Sequence, residues 1–381
     1  MDGAVTATIY PPAQRLLGLA VLLVAVLSIV SNIAYPRQTD FIAYWAAAVL
    51  ALHGHAAAAY DPAALAAIEH LAADSGKMQF GYPPAFLLVA LPFGLLPYTL
   101  ALTGWIVATA AAYLATARRL LPGGAWLALG FPPVAVNAMI GQNGLLTAAL
   151  LIGTTIALPR RPLLAGLLVG CLVIKPQLGI LFPLAFAAGG QWRAFAGAAL
   201  STTGLSALAL LCFGSAAYTG FLHAMPLLAP SVSDGASGWY KMASIYTSAR
   251  LAGLASPAAW TVHIAVASGA AAMVAIVWRG RHDIGAKMAT VVAASMLVSP
   301  YLYVYDTVAL IVPFFWLATQ HADRRLLALL WLLPIVSIAQ NWGANQAIDL
   351  MPLVPIGLLA LIARQCGKRR QHHVATQPTE A

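Results

Sequence analysis

Charge is nearly absent from long stretches of this chain, and that feature restricts its fold more than any other. Leu16–Ala34, Ala194–Phe213 and Pro257–Trp278 are apolar runs that each reach the ~20 residues needed to cross a hydrocarbon core about 30 Å thick. Only 8% of the 381 residues are charged and 61% are hydrophobic, whereas a soluble domain carries roughly a quarter charged residues. The expected fold is therefore all-α and integral to the membrane: one transmembrane domain over residues 1–370, with roughly 11–13 spanning segments. Leu16–Ala34 does not read as a cleavable signal, because it has one flanking cation, no small-residue cleavage pattern, and many similar runs after it.

The net charge of +9 is distributed in a way that argues against a nucleic-acid partner. The cations stand in short clusters between apolar runs: Arg118–Arg119, Arg160–Arg161, Arg279 with Arg281, Arg324–Arg325, and Lys368–Arg370. This is the positive-inside pattern of a multi-pass membrane protein. It places both termini in the cytoplasm and the chain in a bacterial inner (plasma) membrane. Two long segments, 36–82 and 214–248, become outer loops, and 371–381 becomes a cytoplasmic tail read as disordered. All cations except Arg37, Lys77, Lys175, Lys241 and Arg250 then lie inside, provided that 83–117 makes one net crossing with Pro83–Pro97 at the interface or re-entering.

That threading has a consequence for function. Pro162–Ile174 and Gln177–Ala188 are each about a dozen residues, too short to span at 1.5 Å per residue. The junction Lys175-Pro176-Gln177 therefore sits below the outer surface, and so does Gly141-Gln142-Asn143-Gly144. Irregular backbone at that depth is tolerated where it lines a protein-walled cavity. A polar cavity opening outward is expected.

The residues able to do chemistry gather around it. Asp40 follows the first span closely, and a carboxylate there can take a proton from an attacking hydroxyl; an Asp before a helix can equally be a plain N-cap. If 40–52 is helical, Tyr44 shares the face of Asp40. Asp61 before Pro62 reads as an N-cap with Pro at the first helical position. Lys175 is the one cation within 162–188; it suits a phosphate, or it snorkels to the interface. Gln142, Asn143 and Gln177 offer neutral groups for sugar hydroxyls, or for helix–helix hydrogen bonds. Asp306 follows the aromatic cluster Tyr301, Tyr303 and Tyr305, residues that also suit an interfacial belt. His53 and His55 do not have helical ligand spacing, and no metal site is expected. Phosphate-binding glycine loops, paired cysteines and dinucleotide fingerprints are missing from the sequence, so an enzyme of this kind needs a donor activated without a nucleotide fold.

Taken together, Asp40, Gly54, Tyr60-Asp61, Tyr82-Pro83-Pro84, Gly141-Gln142-Asn143, Ala165-Gly166 leading to Ile174-Lys175-Pro176-Gln177, Gln191-Trp192-Arg193, and Ser299-Pro300 followed by Tyr305-Asp306 resemble glycosyltransferase family 87 over roughly residues 36–310. Those are polyprenol-phosphate mannosyl- and arabinosyltransferase-like proteins of the GT-C superfamily. The resemblance implies a GT-C-type helical bundle, an active site at the outer face, and a polyprenyl-phosphate sugar as donor substrate. It also implies a glycolipid or cell-envelope glycan as acceptor, and an inverting hexosyl or pentosyl transfer. Asp40 matches the position of the catalytic carboxylate. Lys175 becomes the candidate partner of the leaving phosphate, with Gln177, Gln142, Asn143, Tyr44, Tyr82 and Asp306 as substrate-binding candidates. No cofactor beyond the lipid-linked donor is expected. The rival readings are a transporter or lipid flippase, for which paired inverted repeats would be the sign, and a non-catalytic binder of lipid-linked glycans.

Overall fold

The computed structural model describes residues 39–70, 78–235, 238–320, 322–342 and 349–375, with scattered residues between 16 and 31. The first expected span, Leu16–Ala34, and Arg37 and Lys77 lie largely or wholly outside the described residues. Among the described residues the protein is helical, with one isolated antiparallel bridge between Met242 and Tyr303. In chain order the helices are α1 (Phe41–Leu52), α2 (Pro62–Glu69), α3 (Ala85–Gly94), α4 (Tyr98–Leu120), α5 (Ala125–Leu129), α6 (Pro132–Ile140), α7 (Gly144–Ala157) and α8 (Pro162–Gly170). They continue as α9 (Phe182–Ala188), α10 (Trp192–Ser233), α11 (Ile245–Leu251), α12 (Ser256–Arg279), α13 (Ile284–Val298), α14 (Ile311–Thr319), α15 (Arg324–Trp342) and α16 (Leu353–Ala375). The fold is all-α and polytopic: α4, α10 and α12 are each long and apolar enough to cross a membrane.

The exposed surface of these helices is apolar. Leu100, Val107, Leu211, Ile264, Ile276 and Leu329 are all more than half exposed, as side chains facing acyl chains should be. Packing inside such a bundle cannot rely on the hydrophobic effect, and close approach of small residues takes its place. Gly166 and Gly170 of α8 accordingly press against Ala194, Ala198 and Ser201 of α10. Helix α13 is sheathed by its neighbours, and every residue from Met288 to Leu297 is buried. One of its hydroxyls is satisfied locally: Thr290 donates to the Ala286 carbonyl at 2.8 Å, the i−4 bond available to Thr in apolar helices.

Helix α3 has ten residues, about 15 Å, and cannot cross. It turns back at Pro97 into the 23-residue α4. Helix α10 is two helices joined at Gly214 (φ 72°, ψ 169°), a backbone conformation essentially confined to glycine. Its first part is a span. Its second part, from Ser215 on, lies over the turn Ala56–Tyr60, where Phe221 meets Tyr60 at 5.9 Å between ring centres. The second long loop is therefore not irregular throughout; Ala216–Ala229 is apolar enough to continue as helix beyond the break.

The basic turns gather at one end of the bundle. Trp278 donates to the Lys287 carbonyl at 2.8 Å and Trp316 to Asp283 at 3.0 Å. These contacts tie the turns bearing Arg279, Arg281 and Arg324 together. The chain breaks at Gly141 and Lys175 meet at the other end, and the cavity forms there.

Candidate active site

Asp40 sits at the N-cap position of α1, yet its carboxylate accepts no bond from that helix's own backbone. Asp61 does what the N-cap reading requires, accepting from Ala63 N at 2.8 Å and Ala64 N at 3.4 Å. The Asp40 carboxylate turns instead to the first apex, where its Oδ2 accepts from Gln142 Nε2 at 2.9 Å.

The first apex joins α6 to α7. Gly141 closes α6 in the left-handed region (φ 68°, ψ 32°), which glycine enters without steric cost. A Cβ there would lie 2.7 Å from Phe41 Cβ and from Leu102 Cδ1. A Cβ at Gly144 would run into the Tyr305 carbonyl oxygen. The apex is thus wedged between the residue after Asp40 and the residue before Asp306, and its two glycines make that approach possible. Gln142 is fully engaged at this spot. Its Oε1 accepts from the Tyr44 hydroxyl, from the Tyr82 hydroxyl at 3.1 Å and from Asn143 N at 3.3 Å. Tyr82 is held in turn by the Tyr60 hydroxyl, which donates to its carbonyl at 2.9 Å, and by stacking on Phe86 at 4.7 Å.

The second apex joins α8 to α9 through two short turns of tighter helix, Cys171–Ile174 and Pro176–Leu178. Lys175 stands between them and is only 3% exposed. Its Nζ lies 2.5 Å from Asp306 Oδ1, donates to Asn143 Oδ1 at 3.1 Å, and sits 4.7 Å from the centre of the Tyr305 ring. The other oxygen of Asp306 accepts from Tyr303 N at 3.2 Å. An ion pair this deep must be well coordinated to offset its desolvation, and here each partner has a further hydrogen bond.

These elements enclose a cavity of about 880 Å³ whose wall includes Asp40, Tyr82, Gln142, Lys175, Gln177 and Lys241. Tyr44, Asn143 and Asp306, grouped with them on sequence grounds, are buried behind that wall. The sequence by itself leaves Lys175 without a partner and Asp306 at the end of an aromatic belt; the structure makes the two one ion pair. It also adds a residue. Lys241 follows Trp239 in a single turn, and the next residues are tied to the 299–306 segment, with Ala243 N donating to the Leu302 carbonyl at 2.7 Å. That tie brings the segment around Lys241 to the cavity. The only hint in the sequence is a cation beside an aromatic pair in an otherwise charge-poor loop.

The electrostatics suit proton transfer at Asp40. Burial pushes its carboxyl above the ordinary carboxylate range, while the Gln142 hydrogen bond and the charges of Lys241 and Lys175 oppose that shift. A carboxylate raised in this way is a stronger base than a solvated one. The cations bring positive charge to the same cavity, where an anionic leaving group can be met.

A sequence model of glycosyltransferase family 87 matches residues 80–300. The chain belongs to glycosyltransferase family 87. It is a membrane glycosyltransferase, and its candidate site reads accordingly. The family match takes in Tyr82, both apices and Lys241; Asp40 and Asp306 lie outside the matched residues and enter the site by geometry. No curated protein and no solved structure matches the chain.

Proposed function

We propose that this family 87 member transfers a sugar from a polyprenyl-phosphate donor to a glycolipid or envelope-glycan acceptor, at the outer face of the bacterial inner membrane, with both termini in the cytoplasm. The observation that carries the reading is Asp40. It is a carboxylate at the head of a helix it does not cap, held by an amide and opening onto a large cavity that also presents Lys175 and Lys241.

In the proposed reaction an acceptor hydroxyl attacks the anomeric carbon of the donor sugar from the face opposite the phosphate. Asp40 takes the hydroxyl proton as the new carbon–oxygen bond forms. The bond from the anomeric carbon to the phosphate oxygen breaks, and its electron pair leaves with polyprenyl phosphate, inverting the configuration. Negative charge grows on the phosphate in the transition state, where fixed cations are most effective. Lys175 has three N–H groups, directs one each to Asp306 and Asn143, and can turn the third toward the phosphate; Lys241 supplies charge from the opposite segment. Gln177 on the wall serves the sugar hydroxyls. Val136, Met139 and Ile140 of α6 and Ile338 of α15 make an apolar flank of the same cavity, suited to the first isoprene units of the lipid. The flippase reading finds no support in a glycosyltransferase family.

Reconstitution in proteoliposomes with radiolabelled polyprenyl-phosphate hexoses and pentoses, nucleotide sugars as controls, and extracted envelope lipids as acceptors tests the donor class. Label passing to the lipid or glycan fraction only from polyprenyl-phosphate sugars is the expected result. Transfer from nucleotide sugars alone would overturn the reading.

A further inference from the structure

We infer that Gln142 is a positioning residue for the base rather than a sugar ligand: it fixes the Asp40 carboxylate through an amide whose orientation is locked from behind by Tyr44 and Tyr82. The inference rests on the reading of Asp40 as the base, and it follows from hydrogen-bond accounting. A glutamine side chain has an acceptor end and a donor end. Here the acceptor end receives the hydroxyls of Tyr44 and Tyr82 and the Asn143 N–H. The Asn143 N–H can only donate and the ionised Asp40 carboxylate can only accept, so the amide oxygen faces Asn143 N, with the two phenols beside it, and the NH₂ group faces Asp40. If the amide turned over, its NH₂ would confront the Asn143 N–H and its oxygen would confront the carboxylate; only the two phenol contacts, whose hydroxyls donate or accept, would survive.

The surroundings show that the lock is built in. Tyr44 is 2% exposed, and its ring packs edge-on against Phe86 at 4.7 Å between centres. The Gln142 backbone is fixed as well, its carbonyl accepting from Trp105 Nε1 at 3.3 Å. The amide bonds one oxygen of Asp40, Oδ2. It therefore anchors one oxygen of the carboxylate at the cavity wall, where a base can meet an acceptor hydroxyl. The same network continues to the phosphate side, because Asn143 Oδ1 accepts from Lys175. One apex thereby sets the distance between the group that takes the proton and a cation that meets the leaving group.

Other charged or titratable groups face Asp40 from the elements packed around it. Lys241 acts from the second outer segment and Lys175 from the second apex; Tyr82 and Tyr98 face it from the first outer segment and α4, and Tyr301 and Tyr303 from the 299–306 segment.

The test is steady-state transfer by reconstituted full-length protein across pH, comparing wild type, Gln142→Met, Tyr44→Phe/Tyr82→Phe and Asp40→Asn, with the donor that wild type accepts. Gln142→Met keeps the length of the side chain and removes the amide. It should lower kcat about 10–100-fold, within the range of outer-shell substitutions, with donor KM within about twofold. Its acid limb should move to higher pH, because a hydrogen bond to the ionised carboxylate is gone. The double tyrosine variant leaves Gln142 in place but removes the hydroxyls that hold its oxygen from behind, and should move the limb the same way by less. A Gln142→Met protein with raised KM and wild-type kcat would make Gln142 a sugar ligand and overturn the inference; so would an unmoved acid limb in both variants. Wild-type turnover by Asp40→Asn would instead remove the base assignment itself, and the positioning role with it.

Discussion

The two apices break their helices at the same end of the bundle, yet they are built from opposite chemistry. The first, at Gln142, is neutral: an amide, two phenols and a backbone N–H arranged around a half-buried carboxylate that opens to the cavity. The second, at Lys175, is ionic: a lysine and an aspartate, 3% and 0% exposed, closed on each other beneath the wall. The difference separates two tasks. A base has to change its protonation during the reaction, and a neutral amide favours its ionised form without fixing it there as a buried ion pair would. A fixed counter-charge must not change, and a buried partner keeps it charged. The apices also differ in what damage does to them, and substitutions can pull the tasks apart.

The largest expected effect falls on the ionic apex. Asp306→Asn leaves the Lys175 ammonium buried without its counter-charge, which costs about 3–5 kcal/mol and should appear as a large drop in the thermal unfolding midpoint in detergent. Lys175→Met/Asp306→Leu removes both charges and should regain most of that loss. A double variant no more stable than the single one would show that the pair is not the support described. A smaller effect is expected where the apices touch. Gly144→Ala places a methyl group against the Tyr305 carbonyl, an overpacking that costs about 1–3 kcal/mol; unchanged stability in the same assay would contradict the wedge. The smallest concerns the support of Tyr82. Glu69 is buried and accepts from Met78 N at 3.2 Å at the start of the segment leading to Tyr82, and burial pushes its carboxyl from 4.5 up to about 7. A folded-state value above the unfolded one means that folding binds a proton. This contribution is therefore full below about 4.5 and is lost as pH rises to about 7. Glu69→Gln should remove that part of the pH dependence and be more stable than wild type at pH ~8. Parallel stability profiles for the two proteins would rule the contribution out.

Much of this is legible in the sequence because membrane helices write their ends in charge. Arg118–Arg119, Arg279 with Arg281 and Arg324–Arg325 each close or open a helix, and the shortness of 162–174 and 177–188 is enough to imply the second apex. Asp40, Gln142, Lys175 and Gln177 stand out on the same grounds and do share one cavity. What the sequence leaves open is pairing. Nothing local says that Lys175 meets Asp306, 131 positions away, or that Lys241 reaches the cavity, since both follow from how separate segments pack. The helical continuation of α10 is also hidden, because Gly214 reads as the end of a span and the structure uses it as a bend. Asp40 shows the limit most clearly: capping and catalysis predict the same residue at the same place. The direction of its carboxylate, away from the α1 backbone and toward Gln142, sets the capping reading aside.

The most direct test of the central claim is single-turnover sugar transfer by Asp40→Asn in proteoliposomes, with thermal unfolding and labelled-donor retention measured on the same preparation. The account predicts a folded protein that still holds donor and transfers about 10²–10⁴-fold more slowly than wild type, the scale of a lost general base. Transfer at the wild-type rate would show that Asp40 is not the base, and that the cavity performs its chemistry with another group.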